Sequence, residues 1–280
     1  MNSENKNTSY YLKKFNITLK KSLGQNFLSD SAVAKRIVEK TNLADSDLVI
    51  EIGAGAGALT NELINTGKKV LAFEIDQRLE NLLRERFSEF PNFELKMMDF
   101  NEFKPDEIMK DTKVSFVSNL PYHVSVPITV KIINEFPKLQ NAYLMVQTEV
   151  AQRMCAIPST KQYGSLSIFI QYHTIPKILF KVAKSHFIPN PNVESAIVEI
   201  IPQKDKHIFS GSEDDFFNFV KLGFSQRRKM IKNNYREYQP FVEDFFIQNG
   251  ISQKVRAEDV SLKQFISLYE YIREREDERE

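Results

Sequence analysis

Short apolar runs that alternate with helix-like stretches constrain this chain more than any other feature of its sequence. The runs at residues 48–52, 69–74, 93–97, 114–119 and 142–147 are five or six residues long, too short for buried helices, and read as buried strands. Between them, residues 58–65, 78–87 and 127–136 read as helices, with Pro127 suitably placed in a first turn. Strands separated by helices cannot be joined by tight hairpins, so each crosses over to lie parallel to the one before. The chain is therefore expected to be α/β, with ligands gathered beyond the carboxyl ends of its strands.

After residue 147 the rhythm changes. A helical stretch starts near Glu149, and two further apolar runs, 177–182 and 196–201, flank the proline-rich Phe187-Ile188-Pro189-Asn190-Pro191. These read as a terminal antiparallel pair joined by a stiff loop. Residues 202–211 are polar and turn-rich, and the remainder is helical in character. A chain of 280 residues fits two domains of roughly 150 residues each. The expected division is a flexible arm over 1–18, an α/β domain over 19–203 and a small all-helical domain over 204–280. Within the second segment, Ser29 or Asp30 can cap a helix carrying Val33, Ile37 and Val38.

Composition excludes several classes. With 42% hydrophobic and 27% charged residues the chain reads as soluble and globular. No apolar run approaches the ~20 residues that span a bilayer, and the polar start lacks a signal-peptide core. A single cysteine, Cys155, cannot close an internal disulfide and has no metal-ligand spacing around it, which points to a reducing, cytoplasmic setting and no metal.

Function is read at the strand ends. The first run leads into Gly53-Ala54-Gly55-Ala56-Gly57 and then a helix, where glycines allow a tight turn and backbone N–H groups can approach a ligand. Gly53, Gly55 and Ala58 also satisfy the dinucleotide pattern in its G/A form, so nicotinamide or flavin binding stays open at this point. Glu74 ends the second run, 21 residues after Gly53, where a carboxylate can accept from two ribose hydroxyls. Asp99 ends the third strand region, placed to accept from an adenine amino group, and Asn119 ends the fourth run. One acid at such a position is ordinary solvation; polar ligands at four successive strand ends describe a nucleotide-bearing cofactor.

Asn119-Leu120-Pro121-Tyr122 follows the fourth run directly and is similar to the motif of adenine-amino methyltransferases. Taken with Gly24-Gln25-Asn26-Phe27-Leu28, the segment 51–57, Phe187-Ile188-Pro189-Asn190-Pro191 and Phe224-Ser225-Gln226-Arg227-Arg228-Lys229, all in order, the chain resembles the ribosomal RNA adenine N6,N6-dimethyltransferase family, small-subunit type, over about residues 19–240. The resemblance implies a Rossmann-like methyltransferase domain with a mostly parallel seven-stranded sheet and a helical RNA-recognition domain. It implies S-adenosyl-L-methionine as methyl donor and adenines of 16S rRNA, in the small ribosomal subunit or its precursor, as substrate. Two adjacent adenines in a hairpin loop near the 3′ end would be dimethylated at N6 during ribosome biogenesis, by a cytoplasmic monomer.

The same resemblance places Asn26 and Leu28 over the cofactor, Gly53 against its methionine end, Glu74 on the ribose, Asp99 on the adenine, and Asn119 between cofactor and substrate. An adenine amino nitrogen is a poor nucleophile because its lone pair is delocalised into the ring. The Asn119 side-chain oxygen and the Leu120 carbonyl, held by Pro121, can accept from that amino group and favour charge developing on nitrogen. No general base is required. Tyr122 can stack on the target base and Phe187 close its opposite face, offsetting part of the cost of extruding it.

Net charge is only +1, so RNA contact must come from local patches. Residues 227–236 hold Arg227, Arg228, Lys229, Lys232 and Arg236 with no acid among them, and Lys13, Lys14, Lys20 and Lys21 form a second group. A run like this is more often a solvated helix face; the resemblance favours phosphate contact. Three rival readings are a large-subunit rRNA adenine methyltransferase of antibiotic-resistance type, a non-catalytic RNA-binding relative, and a dinucleotide oxidoreductase. The last leaves Asn119 to Tyr122, Phe187 and the basic stripe without a purpose.

Overall fold

The structure, a computed structural model, describes residues 7–18, 26–105, 109, 111–209 and 211–278. It divides into two compact units, Met1–Ala151 with Pro176–Pro202, and Gln152–Ile175 with Gln203–Glu280.

The strands are β1 (Phe27–Leu28), β2 (Leu48–Ile52), β3 (Lys69–Glu74), β4 (Phe93–Met97), β5 (Val114–Asn119), β6 (Leu139–Gln147), β7 (Thr174–Val182), β8 (Phe187–Ile188) and β9 (Ser195–Pro202). Seven of them form one sheet in the order β4-β3-β2-β5-β6-β9-β7, while β1 pairs with β8 in a separate two-stranded sheet. The first five of the large sheet run parallel, and β9 lies antiparallel to β6. The expected mostly parallel seven-stranded sheet is present. Val49, Ile50, Ala72 and Phe116 are fully buried, as strands covered on both faces require.

The order reverses at β2, whose neighbours are β3 on one side and β5 on the other. Backbone pairing between β2 and β5 stops at Ile50 and Phe116. Beyond it, the Ser118 hydroxyl accepts from the Ile52 N–H at 2.9 Å, satisfying a buried donor that has left the ladder. The strands part there, at the carboxyl ends where an open α/β sheet receives its ligand.

Helices of this unit are α1 (Thr8–Lys14), α2 (Ser31–Glu39), α3 (Ala58–Ile64), α4 (Glu80–Phe87) and α5 (Ser125–Glu135), with α6 (Thr148–Met154) following β6. Asp30 caps α2, its carboxylate accepting from the Ala32 and Val33 N–H groups. The expectation of a flexible arm over 1–18 needs correction for residues 7–18; residues 1–6 lie outside the described residues. Asn7 caps α1, Thr8 donates to the Leu28 carbonyl at 2.8 Å, and Leu12 and Ile17 are buried in the core of the sheet. Two turns are too few for a period to stand out among flanking lysines, and such a helix depends on tertiary packing for its stability.

The second unit contains α7 (Ser165–His173), α8 (Glu213–Gly223), α9 (Gln239–Gln248) and α10 (Leu262–Asp277). Its core is aromatic: Phe209, Phe216, Phe217, Phe246 and Phe265 pack with Tyr163, Ile168 and Tyr172. That packing moves the expected boundary. Residues 152–175 precede a strand of the large sheet in the chain and so read as part of it, yet their buried side chains belong to the helical unit. Ser261 and Gln264 form a reciprocal capping box that starts α10.

Candidate active site

A cavity of about 180 Å³ lies where β2 and β5 part, bounded by the ends of β3 and β4 and by β1. Asn26, Leu28, Gly53, Glu74, Asp99, Asn119, Leu120, Pro121 and Tyr122, dispersed over almost a hundred residues of chain, all line it. The glycine loop is anchored to β3, with the Gly53 and Ala54 N–H groups both donating to the Phe73 carbonyl. Gly55 has φ +60°, and a Cβ there would fall 2.9 Å from the Phe27 ring, so both backbone conformation and β1 demand glycine.

Glu74 is nearly buried, and its carboxylate accepts from the Gly55 N–H at 2.8 Å and from the Ile75 and Asp76 N–H groups at 2.9 Å. Burial raises its pKa, and these three donors oppose the rise. The carboxylate is thereby fixed at the cavity wall with lone pairs left for hydroxyl donors. Asp99 starts a short turn after β4; its Oδ1 accepts from the Asn101 N–H and side-chain amide at 2.8 and 3.0 Å, leaving Oδ2 for an amino donor.

At the end of β5 the Asn119 side-chain amide donates to the Asn26 carbonyl at 3.2 Å. That bond fixes which end of the amide is which and leaves Oδ1 as its acceptor. The Leu120 N–H donates to the Met145 carbonyl at 3.1 Å, tying the tetrapeptide to β6. Tyr122 is half-buried, and its hydroxyl lies 2.8 Å from Ser195 Oγ.

Phe187 departs from expectation. It is 0% exposed, packs in the core with Phe27, Leu28 and Val182, and does not line the cavity. Its backbone pairs with Leu28, so here it holds the β1 wall and offers no open ring face to a base. Ser29 and Asp30 fasten the same junction through the His186 carbonyl and ring.

Sequence reasoning passed over several cavity residues. Glu51, at the start of the glycine segment, is 1% exposed; its pKa is pushed up to about 8 by burial, with Thr60 donating to it at 2.6 Å in opposition. A charged residue inside the apolar run 48–52 was the available signal. Ile75 is 52% exposed at the cavity and presents an apolar wall to a planar ring. Nothing in the sequence pattern marks Ile75 or Asn101.

The basic residues separate into two kinds. Arg227 donates to the Lys161 and Tyr163 carbonyls and pairs with Glu258, and Lys232 pairs with Glu243 at 2.9 Å, so both are engaged within the helical unit. Arg228, Lys229 and Arg236 are exposed, and Lys229 and Arg236 border one concavity with Gln226, Asn233 and Gln239. Lys14 pairs with Glu85. Lys20 and Lys21 lie outside the described residues. Among the described residues no helix is long and apolar enough to cross a membrane, and no group of three or more His, Cys, Asp or Glu could hold a metal.

A mostly parallel seven-stranded sheet with an antiparallel strand inserted near one edge, and a cavity of acids and an Asn-Leu-Pro-Tyr turn at its switch point, define a Rossmann-like methyltransferase. Residues 16–274 match the family model described as ribosomal RNA adenine dimethylase, and the chain belongs to that family. It is 44% identical over 264 residues to ribosomal RNA small subunit methyltransferase A of Thermotoga neapolitana, covering 94% of this chain and 95% of that one. The protein of the same name from Bacillus pumilus is 38% identical over 273 residues, 93% of this chain and 94% of that one. Among solved structures, the 23S rRNA methyltransferase ErmE superposes with a TM-score of 0.71 at 26% identity, over 89% of this chain and 100% of that one. A dimethyladenosine transferase from Plasmodium falciparum gives 0.71 at 24%, over 86% and 95%, which speaks for the fold alone.

Proposed function

We propose that this chain dimethylates N6 of adenines in 16S rRNA, in the small ribosomal subunit or its precursor, using S-adenosyl-L-methionine. The observation that carries the reading is the Asn119 amide, turned by Asn26 so that its oxygen is the acceptor in a cavity that Glu74 and Asp99 share.

The residues present fit the cofactor. Glu74 can accept from ribose hydroxyls, Asp99 from the adenine amino group, Ile75 can pack on the adenine face, and Asn26, Leu28 and Gly53 border the remainder. When bound, the cofactor supplies an electrophilic sulfonium methyl group. The protein's contribution is alignment and polarisation: Asn119 Oδ1 accepts from the adenine amino group and stabilises positive charge as it develops on nitrogen. With the Leu120 carbonyl it restricts the nitrogen to one approach, while the Tyr122 ring receives the extruded base. The nitrogen's proton becomes acidic on methylation and leaves to solvent, so no side chain need serve as base. Within the basic stripe, Arg228, Lys229 and Arg236 are the residues free to meet phosphates; Arg227 and Lys232 act chiefly as internal ties.

Labelled methyl transfer to undermethylated small subunits, with large subunits in parallel and nucleosides identified, tests this. Dimethyladenosine confined to the small-subunit RNA is expected, and Asn119→Ala is expected to abolish it while the cofactor-free protein keeps its melting temperature. Label in the large subunit would instead support the chemistry named for ErmE.

A further inference from the structure

We infer that Ser195 is a positioning residue for methyl transfer: through its hydrogen bond it holds the Tyr122 phenol and sets the plane of the ring that receives the target base. This rests on the reading of Tyr122 as the stacking face.

The Tyr122 hydroxyl and Ser195 Oγ are 2.8 Å apart although 73 residues separate them in the chain. Ser195 is 0% exposed, at the first position of β9, opposite Gln147 at the end of β6. A hydroxyl buried beside Ala196, Ile197 and Val198 is costly unless it is bonded, and the Tyr122 phenol is the partner it has. The anchor is itself fixed. The Glu194 carbonyl, one residue earlier, accepts from both the N–H and the hydroxyl of Thr148 at 3.0 Å.

The other end of Tyr122 is held as well. Its carbonyl accepts from Ser125 Oγ at 2.9 Å, and the Ser125 carbonyl accepts from Thr129 Oγ1 at 2.7 Å, both side chains fully buried in α5. The backbone is thus fastened to the first turns of α5 and the ring tip to β9. A side chain with two rotatable bonds, pinned at its tip, cannot swing away from the cavity. Stacking alone asks only for an aromatic ring; the hydroxyl adds a fixed orientation, and an enzyme that works by alignment loses rate when the base is held loosely.

The test is a double-mutant cycle of Ser195→Ala and Tyr122→Phe, with kcat for RNA methylation, KM for RNA, cofactor Kd by calorimetry and Tm as readouts. Each single variant is expected to lower kcat about 3–10-fold, the range one hydrogen bond supplies, with cofactor Kd unchanged; Tyr122→Phe, which leaves the buried Ser195 hydroxyl without its partner, is also expected to lower Tm. The double variant should be no slower than either single one. Additive losses, or full kcat in Tyr122→Phe, overturn the inference. If Ser195→Ala fails to fold, Tyr122→Phe reads the same bond with Ser195 in place. Tyr122→Ala tests the underlying reading separately: if it keeps full activity, Tyr122 is not the stacking face, whereas its inactivity beside a fully active Ser195→Ala overturns the tether alone.

Discussion

Among the carboxylates at the cavity, Glu51 departs far from its ordinary behaviour. Burial drives its pKa up to about 8; Thr60 opposes the shift by donation, Glu74 on β3 adds to it, and Arg86 on α4 reduces it. For a carboxylate this is the reverse of the common case. Between the ordinary value of 4.5 and about 8, the folded protein keeps a proton that the unfolded chain has released. Stability therefore declines as pH rises through that window, because the unfolded state binds fewer protons. Thermal melts of the cofactor-free protein at pH 6.5, 7.2 and 8 should show Tm falling, above the range in which His173, its pKa lowered to about 4 by burial, acts in the opposite direction. Glu51→Gln, which carries no titrating group, should flatten the fall relative to the parent; an unchanged slope in that variant would remove Glu51 as its source. The position is also where sequence reasoning was weakest. Glu74, Asp99 and Asn119 were legible because Glu74 and Asn119 end strands and Asp99 follows one by two residues, whereas Glu51 lies inside one, where only the three-dimensional neighbourhood gives the carboxyl its character.

At the scale of elements, the sequence pattern carried the sheet and failed at its margins. Runs 48–52, 69–74, 93–97 and 114–119 became strands with the same bounds; β2, β3 and β5 are largely apolar because they are covered on both faces, whereas β4, at the sheet edge, carries Glu94 and Lys96 and is only partly buried. What it could not show was α1, too short to display a period, or the membership of α7, which depends on aromatic partners some forty residues further along the chain. The pairing of β1 with β8 was equally invisible, as two residues on each side carry no pattern. That pairing decides how Phe187 should be tested. Its ring is fully enclosed, so Phe187→Ala removes core packing and is expected to cost about 3–5 kcal/mol of stability. Denaturant unfolding measures this directly. A loss below about 1 kcal/mol would mean that the ring is free to leave the core, and would return it to the expected role against the base.

For the molecule as a whole, the division into two units separates two kinds of loss. The residues proposed for cofactor binding and catalysis belong to the sheet-bearing unit and the basic stripe to the helical one, so binding of RNA and binding of cofactor should respond to different substitutions. The charge sum of +1 gives no hint of this, because Lys14, Arg227 and Lys232 are matched by Glu85, Glu258 and Glu243. Each unpaired cation that meets a phosphate releases counterions, and its removal lowers the dependence of log K on log salt by about 0.7–0.9. The triple substitution of Arg228, Lys229 and Arg236 by Ala should therefore weaken RNA binding, flatten its salt dependence by roughly two units, and leave cofactor Kd unaltered. Arg227→Ala with Lys232→Ala should instead lower Tm, since Arg227 ties the Lys161 and Tyr163 carbonyls, and should change the salt slope little. Binding measured at two or more salt concentrations for both variants decides between these assignments. If the slope falls with the Arg227 and Lys232 pair as well as with the triple substitution, the internal ion pairs open on RNA, and the stripe works as a whole.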